Sequence, residues 1–197
     1  MNSRVYRMTA RAQAAEQTGE RIVDAMLRRF ATHPYDHIRL EDVASDAAVT
    51  VQTVIRRFGG KPGLMTATVE RELGRIAAAR SAAAPGEPAD TIDALAAHYE
   101  QYGSLILKMY AEAHLVPGLP EIAGRGREYH LDWCRSAFAA HLDTRGDPAA
   151  RERRLAQLVA VCDATTWRIL RQDMGLDPEQ TRLALAELVH PLLREPG

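Results

Sequence analysis

Apolar residues recur at helical spacing along most of the chain, and this pattern restricts the fold more than any other feature of its 197 residues. Ile22, Val23, Met26, Leu27 and Phe30 fall on one face of a helix, because positions three and four apart are neighbours there. No segment alternates apolar and polar residues in the way that predicts a strand. The sequence therefore predicts an all-α fold.

Turn-forming residues divide the first 80 positions into short predicted helices. Pro34 ends the first, and a second begins near Leu40 with two acidic residues in its first turn, where the helix dipole favours them. Thr50 is a good N-cap for a third helix, which Gly59 ends. Pro62 suits the first turn of a fourth helix that runs toward residue 80.

The stretch 81–90 is rich in Ala and Pro and is predicted to be a linker. Pro- and Gly-containing breaks after it separate further predicted helices, and Gly124 and Gly126 are taken as a helix break. These helices are expected near 91–115, 127–142, 148–174 and 178–194, with a short turn at 120–124.

Charge is distributed unevenly. Residues 1–80 contain 13 Lys and Arg against 9 Asp and Glu, whereas residues 81–197 contain 12 against 17. A mildly basic N-terminal segment followed by an acidic remainder fits a small N-terminal domain that binds a polyanion, although an uneven solvated surface is the alternative. No membrane span or secretory signal is apparent, and two cysteines at this length indicate a cytosolic chain with reduced thiols.

The second and third predicted helices, joined by a tight turn, form a helix-turn-helix pattern. Such a unit presents its last helix to the DNA major groove on a compact apolar support. The third helix carries the hydrogen-bonding and cationic side chains that this role needs, Gln52, Thr53, Arg56 and Arg57. The alternative is a three-helix packing unit without a DNA role. The expected support consists of Ile22, Met26, Phe30, Leu40, Val43, Val49, Val54 and Phe58.

The residues that form this pattern resemble the DNA-binding domain of the tetracycline-repressor (TetR) family. The resemblance spans roughly residues 20–75 and rests on the segments 21–30, 35–36 and 40–58 together with Lys61. It implies a homodimer on a palindromic double-stranded DNA operator. It also implies a C-terminal domain with a pocket for a small organic effector, whose binding spreads the two heads and releases DNA.

The resemblance also assigns roles to single residues. It places Val51 and Gln52 at base edges, the Thr53 hydroxyl on a phosphate, and Lys61 on a second phosphate. Thr50, the N-cap of the same helix, is included among the candidate DNA-binding residues. Gln52 suits base reading because an amide pairs bidentately with adenine. Arg56 and Arg57 are further DNA candidates, with solvated surface charge as the alternative.

Three positions depart from the family pattern. Ala48 stands in the turn where glycine is usual, and a left-handed backbone there costs an alanine about 1 kcal/mol. Ile55 replaces an aromatic that usually meets the DNA backbone, and Arg57 replaces a frequent histidine. These departures indicate an altered operator preference.

The predicted domains are an N-terminal extension (1–17), the helix-turn-helix domain (18–62) and a helical effector-binding and dimerisation domain (63–197), with a connecting helix near 62–80. Arg4, Arg7 and Arg11 are expected to precede the first helix. They form either an arm along the DNA or a solubilising tail.

The last two long helices are apolar over more than the roughly 100° that one core contact requires. A second buried side fits a homodimer joined through helices 148–174 and 178–194 as a four-helix interface. Deep burial within one monomer is the alternative. The apolar positions are Leu155, Leu158, Val159, Val161, Cys162, Ile169, Leu170, Leu183, Leu185, Leu188, Val189, Leu192 and Leu193.

Aromatic, Met and polar residues gather on the middle helices, and this composition suits a pocket for a flat or amphipathic organic effector. Ordinary core packing is the alternative for each residue. The candidates are Tyr99, Tyr102, Met109, Tyr110, Trp133, Asp163, Thr166 and Trp167.

Catalytic signatures are missing from the sequence. It has no phosphate-binding glycine loop, no nucleophile elbow and no metal-ligand spacing among its seven histidines, so neither an enzyme nor a cofactor is expected. Cys134 and Cys162 are expected to be buried reduced thiols, with a redox pair as the alternative if their helices touch. A protein-interaction module that kept the fold but lost DNA binding is the second functional hypothesis, and an enzyme on a helical scaffold is the third.

Overall fold

The computed structural model describes the backbone of residues 3–82, 88–142 and 147–193. This part of the chain contains helices and no strand, which confirms the all-α prediction. The helices are α1 (Ser3–Thr32), α2 (Leu40–Asp46), α3 (Val51–Phe58), α4 (Lys61–Ala82), α5 (Pro88–Glu112), α6 (Leu119–Ala137), α7 (Pro148–Val161), α8 (Ala164–Arg168) and α9 (Pro178–Val189). Shorter 3₁₀ turns follow α1, α5, α6 and α9, and a π turn (Ile169–Asp173) follows α8.

The fold divides into two compact units. Residues 1–72 with 112–122 form the first, and residues 73–111 with 123–197 form the second. The first unit holds the helix-turn-helix, in which α1 packs on α2 and α2 on α3. None of the described helices is both long and apolar enough to cross a membrane.

The first helix begins earlier than the sequence suggested. Arg4, Arg7 and Arg11 were expected ahead of it, but the backbone is already helical from Ser3. Residues 8–17 contain four alanines and neither glycine nor proline, so high helix propensity extends the helix toward the N-terminus. The side chains of these three arginines lie outside the described residues.

The helix break expected at Gly124 and Gly126 is wrong, because α6 continues through both residues. A Cβ added at Gly126 would lie 3.0 Å from the Tyr110 hydroxyl and 3.5 Å from Leu73 Cδ1. The glycine therefore provides room for a close packing contact while the helix continues past it.

The prediction of one long helix at 148–174 is also wrong, because α7 ends at Val161 and α8 begins at Ala164. The Asp163 carboxylate accepts a hydrogen bond from the Thr165 N–H at 2.8 Å and caps a new helix, α8. A capping side chain of this kind starts a helix inside an apolar pattern that looks continuous. The predicted linker falls partly on residues 83–87, which lie outside the described residues; α4 ends before them at Ala82 and α5 begins after them at Pro88.

The predicted support of the helix-turn-helix is largely confirmed. Ile22, Met26, Phe30, Val43 and Val54 are fully buried. Leu40, Val49 and Phe58 are only partly buried and lie at the edges of the short helices. Because interiors pack at crystal-like density, this core fixes the direction in which α3 presents its outer face.

Candidate nucleic-acid interface and ligand cavity

The turn between α2 and α3 has a defined geometry. The Ala48 N–H donates to the Ser45 carbonyl at 3.1 Å, and the Val49 N–H donates to the Ala44 carbonyl at 2.9 Å. These two bonds form a Schellman motif, which places the residue after the helix cap in the left-handed region. That residue is Ala48, with φ of 53°, and it is the one non-glycine residue with positive φ in the described part of the chain.

Replacing Ala48 with glycine is expected to stabilise the chain. The left-handed backbone costs alanine about 1–2 kcal/mol, while glycine adds freedom to the unfolded chain worth about 0.4–1 kcal/mol. The net gain in unfolding free energy should be about 0.5–1 kcal/mol. Urea denaturation measures it. Ala47→Gly is the matched control, because Ala47 is buried with φ of −87°, and it should lower stability instead. A loss of stability in Ala48→Gly would contradict the strain argument.

Helix α3 begins with a satisfied N-cap. The Thr50 hydroxyl accepts a hydrogen bond from the Thr53 N–H at 3.2 Å, and the two hydroxyl oxygens lie 2.9 Å apart. Gly59, with φ of 76°, ends the helix, and its N–H donates to the Ile55 carbonyl. The short helix is thus fixed at both ends, as an element that presents side chains to a partner requires.

The outer face of α3 is polar around one apolar residue. Gln52, Arg56 and Arg57 are exposed, while Val51 and Thr53 are partly buried. Ile55, one of the three positions that depart from the TetR pattern, is 41% exposed on this helix. The structure therefore places Gln52 and Arg56, four positions apart, on one accessible face of α3, whereas Arg57 lies farther around the helix.

Arg57 and Lys61 each have partners within the first unit. The Arg57 guanidinium donates to the Ala15 carbonyl at 2.8 Å, and Gly19 leaves room for it, because a Cβ there would lie 2.3 Å from Arg57 Nη2. Lys61 Nζ lies 4.1 Å from the centroid of the Tyr35 ring and donates to the Asp36 carbonyl at 3.4 Å. Burial lowers the pKa of Lys61. These contacts hold both side chains beside the α3 face and leave Lys61 with further N–H donors.

Ion pairs fix the orientation of the helices behind α3. The Arg29 guanidinium on α1 donates to both oxygens of Asp46 on α2, at 2.7 and 3.0 Å, and also lies 3.5 Å from Asp42. The hydrogen bond with Asp46 raises the pKa of Arg29, and the same bond lowers the pKa of Asp46. A bidentate arginine–carboxylate pair adds geometric specificity that a single contact lacks.

The second unit contains a cavity of about 340 Å³ between α4, α5 and α6. Of the predicted effector residues, Trp133 lines it. Two buried ionisable residues that the sequence analysis missed also line it, Arg80 from α4 and His98 from α5. One signal was available, because Arg80 follows Ile76 by four positions and so places a charge on the apolar face of its helix.

The other predicted effector residues lie elsewhere in the second unit. Asp163 and Thr166 line a more open hollow of about 630 Å³ beside α7. The Tyr99 hydroxyl donates to the Cys162 carbonyl at 2.7 Å, and Trp167 Nε1 donates to Glu100 at 2.9 Å. Tyr102, Met109 and Tyr110 line neither of these two cavities. The predicted set is thus not brought together around one space.

The two cysteines are neighbours, and both thiols are free and buried. Hydrogen bonds from the Cys162 thiol and from His130 lower the pKa of Cys134, whose sulfur lies 3.8 Å from His130 Nε2. The bond to Cys134, together with burial, raises the pKa of Cys162. The redox alternative requires the segments that carry Cys134 and Cys162 to touch, and the hydrogen bond between the two thiols meets that condition.

Within the described residues, no group of three His, Cys, Asp or Glu side chains is placed to hold a metal ion.

Comparison with solved structures identifies the fold. A transcriptional regulator from Rhodococcus sp. Rha1 is similar over 89% of this chain and 95% of its own, with a TM-score of 0.72 and 20% identity. A TetR transcription regulator from Haloarcula marismortui covers 89% and 97%, with a TM-score of 0.70 and 18% identity. A third, described as a regulator from Saccharomonospora viridis in complex with choline, covers 89% and 96%, with a TM-score of 0.68 and 17% identity.

Neither a protein-family model nor a curated protein matches this sequence. The likeness to solved structures shows that the chain has the fold of TetR-type transcriptional regulators over nearly its whole length. It confirms the fold that the resemblance in residues 20–75 implies.

Proposed function

We propose that this chain is a ligand-responsive transcriptional regulator that binds a palindromic operator as a homodimer and is released from it by a small-molecule effector. One observation carries the proposal. Helix α3 is capped at both ends, rests on a fully buried core and exposes Gln52 and Arg56. A helix presented in this way fits the major groove, where side chains reach base edges.

In this proposal the side chains divide into two classes. Gln52 reads a base through its amide, with Val51 beside it. Arg56 adds positive charge near the phosphates, and Arg57 does so from its position against Ala15. Thr53 and Lys61 bind phosphates, which set the register of the protein on the duplex but carry no sequence information. The Lys61 ammonium suits this role because its contacts with Tyr35 and Asp36 hold it at the start of α4.

In this proposal, dimerisation supplies a second recognition helix. Two recognition helices about 34–36 Å apart enter successive major grooves on one side of the duplex. The proposed interface is the surface of residues 148–174 and 178–194, where Ile169, Leu183 and Leu188 are exposed in the single chain. Large apolar side chains that a monomer leaves uncovered support such an interface.

Regulation by an effector is a shift between two conformations. The effector must bind the DNA-incompetent conformation more tightly, or it shifts nothing. The choline complex of the Saccharomonospora viridis regulator shows that a protein of this fold holds a small molecule, and the cavity between α4, α5 and α6 provides a space of suitable size here.

The alternative is a protein-interaction module that kept this fold. The exposed apolar Ile55 on α3 favours it, because an apolar residue at the centre of a helix face suits a protein partner better than a phosphate backbone. Salt-dependent binding to duplex DNA separates the two functions, since only phosphate contacts release counterions.

Selection of bound duplexes from random DNA, followed by binding measurements on variants, tests the proposal. Gln52→Ala should change the preferred sequence at one position of each half-site, by about 1–3 kcal/mol of discrimination. Lys61→Ala should weaken binding to all sequences and reduce the salt slope by roughly one per subunit. Gln101→Ala, an exposed residue of α5, is the control and should bind like wild type. If the Gln52 and Lys61 variants also bind like wild type, the assignment of α3 to the groove is wrong.

A further inference from the structure

The cavity between α4, α5 and α6 has a buried positive charge in its wall. Arg80 is 7% exposed, and its guanidinium lies 4.5 Å from the centroid of the Trp133 ring and 5.4 Å from that of Tyr99. Nη2 donates to the Tyr99 hydroxyl at 2.9 Å, and Nη1 lies 3.0 Å from His130 Nδ1. Because arginine only donates, that imidazole nitrogen is the acceptor.

None of these partners carries a negative charge. His130 accepts at Nδ1, so its proton is on Nε2, which donates to the Val159 carbonyl at 3.1 Å. Among the described residues no carboxylate forms an ion pair with Arg80, and its Nε has no hydrogen-bond partner. Arg80 also helps to lower the pKa of the buried Cys134 thiol, but no carboxylate of the described residues pairs with the guanidinium directly, so a bound carboxylate would supply a direct counter-charge.

A second polar group in the same wall is incompletely bonded. His98 is 7% exposed and lines the cavity, and its Nε2 has no partner among the described residues. Its ring packs against Tyr99 and Tyr102, with centroids 5.5 and 5.2 Å away. Burial, with the positive charge of Arg80 and the neighbouring His130, lowers the pKa of His98 to about 4, so the ring is neutral at pH 7. A neutral imidazole offers one N–H to an acceptor.

The rest of the wall is mainly apolar. Leu95, Ala94 and Ala137 contribute hydrocarbon surface, while Asp132 lies at the exposed side and forms an ion pair with Arg135. A volume of about 340 Å³ is at the lower end of small-molecule pockets. The cavity is also lined by Ser81, Thr91, Tyr129 and Ser136. It thus combines a buried cationic group, a neutral imidazole and a compact, mainly apolar space.

We infer that this cavity binds a compact organic carboxylate, whose charged group pairs with the guanidinium of Arg80 and the imidazole of His98 while its hydrocarbon part lies against Leu95 and Ala94. A fork of guanidinium N–H groups matches a carboxylate. Arg80 keeps donors for one, because its bonds to Tyr99 and His130 use two of its five N–H groups. The inference deepens the proposed function by naming the class of effector, and binding to the chain without DNA tests it separately.

The experiment is calorimetric titration of the full chain with 1-naphthoate, decanoate and benzoate, and with 1-naphthamide and choline as neutral and cationic probes. At least one carboxylate should bind with a dissociation constant below about 1 mM, and naphthoate should bind at least about tenfold more tightly than its amide. Failure of all three carboxylates to bind overturns the inference, as does equal or tighter binding of the amide or of choline.

Variants locate the site. Arg80→Met should abolish the preference for naphthoate over naphthamide, while Arg75→Met, an exposed arginine of the same helix, should leave it unchanged. Ala94→Leu keeps the charges but fills the cavity, so it should lower the affinity for both probes at least about tenfold. This variant provides the test if Arg80→Met does not fold. A folded Arg80→Met chain that keeps the preference, or an Ala94→Leu chain that binds both probes like wild type, overturns the inference. If these results are as expected and no duplex is bound, the cavity assignment stands and the regulatory function fails.

Discussion

Replacing both Leu183 and Leu188 with glutamate is expected to convert the proposed dimer into a monomer and to weaken binding to the proposed operator about 100-fold or more. The two side chains are 38% and 46% exposed in the single chain, so the monomer tolerates the change, whereas an interface between two copies would bury four charges without partners. Loss of the second head removes the gain from binding two half-sites with one molecule. Sedimentation and operator titration measure the two effects.

Ala78→Glu is the control for this prediction. Ala78 is exposed on α4, outside the residues assigned to the proposed interface, so the variant adds surface charge and should remain dimeric. A double glutamate variant that stays dimeric and binds its operator normally would show that residues 178–194 do not form the interface.

The second prediction concerns Arg71, which links α4 to α1 within the first unit. Its guanidinium forms ion pairs with Glu20 at 2.8 Å, Asp24 at 2.7 Å and Glu72 at 3.0 Å. The Arg71 side chain is 15% exposed and that of Glu72 is 6% exposed, so this arginine stabilises a largely buried carboxylate. Arg71→Met should destabilise the unit by about 2–3 kcal/mol, less than a fully buried pair would lose because Glu20 and Asp24 remain in water.

Native-state hydrogen exchange of the α1 amides measures this effect locally, which matters because the chain has two units that need not unfold together. Arg21→Met is the matched control on α1. Arg21 is exposed, and its guanidinium lies 3.5 Å from the Thr18 hydroxyl, so its loss should change stability by less than about 0.5 kcal/mol. If the α1 amides are equally protected in the Arg71→Met variant and in wild type, these ion pairs contribute nothing to the packing of α1 on α4.

The sequence predicts the helix-turn-helix well because its signals are local. Thr50 caps α3 through its own hydroxyl, and Gly59 ends it through a left-handed backbone, so both boundaries depend on residues within the helix itself. The core positions Ile22, Met26 and Phe30 follow from periodicity alone. The conformational cost predicted for Ala48 applies only if its backbone is left-handed, and its φ of 53° shows that it is.

Other features could not be predicted because they depend on tertiary contacts. Gly126 lies inside α6, where a Cβ would meet the Tyr110 hydroxyl at 3.0 Å, and no local rule distinguishes such a glycine from a helix end. The cavity depends on which faces of α4, α5 and α6 meet, so the aromatic composition that suggested Tyr99 and Trp167 identified buried, hydrogen-bonded residues instead. Arg80 and His98 become visible only once their helices are packed together.

The most direct test of the central claim, that the exposed face of α3 binds DNA from both subunits of a dimer, is the salt dependence of the affinity for a selected palindromic duplex. With Lys61 and Arg56 contributing from each subunit, the logarithm of the association constant should fall linearly with the logarithm of salt concentration, with a slope steeper than about −3. A chain that binds no duplex at low ionic strength, or one whose affinity does not change with salt, would contradict the claim.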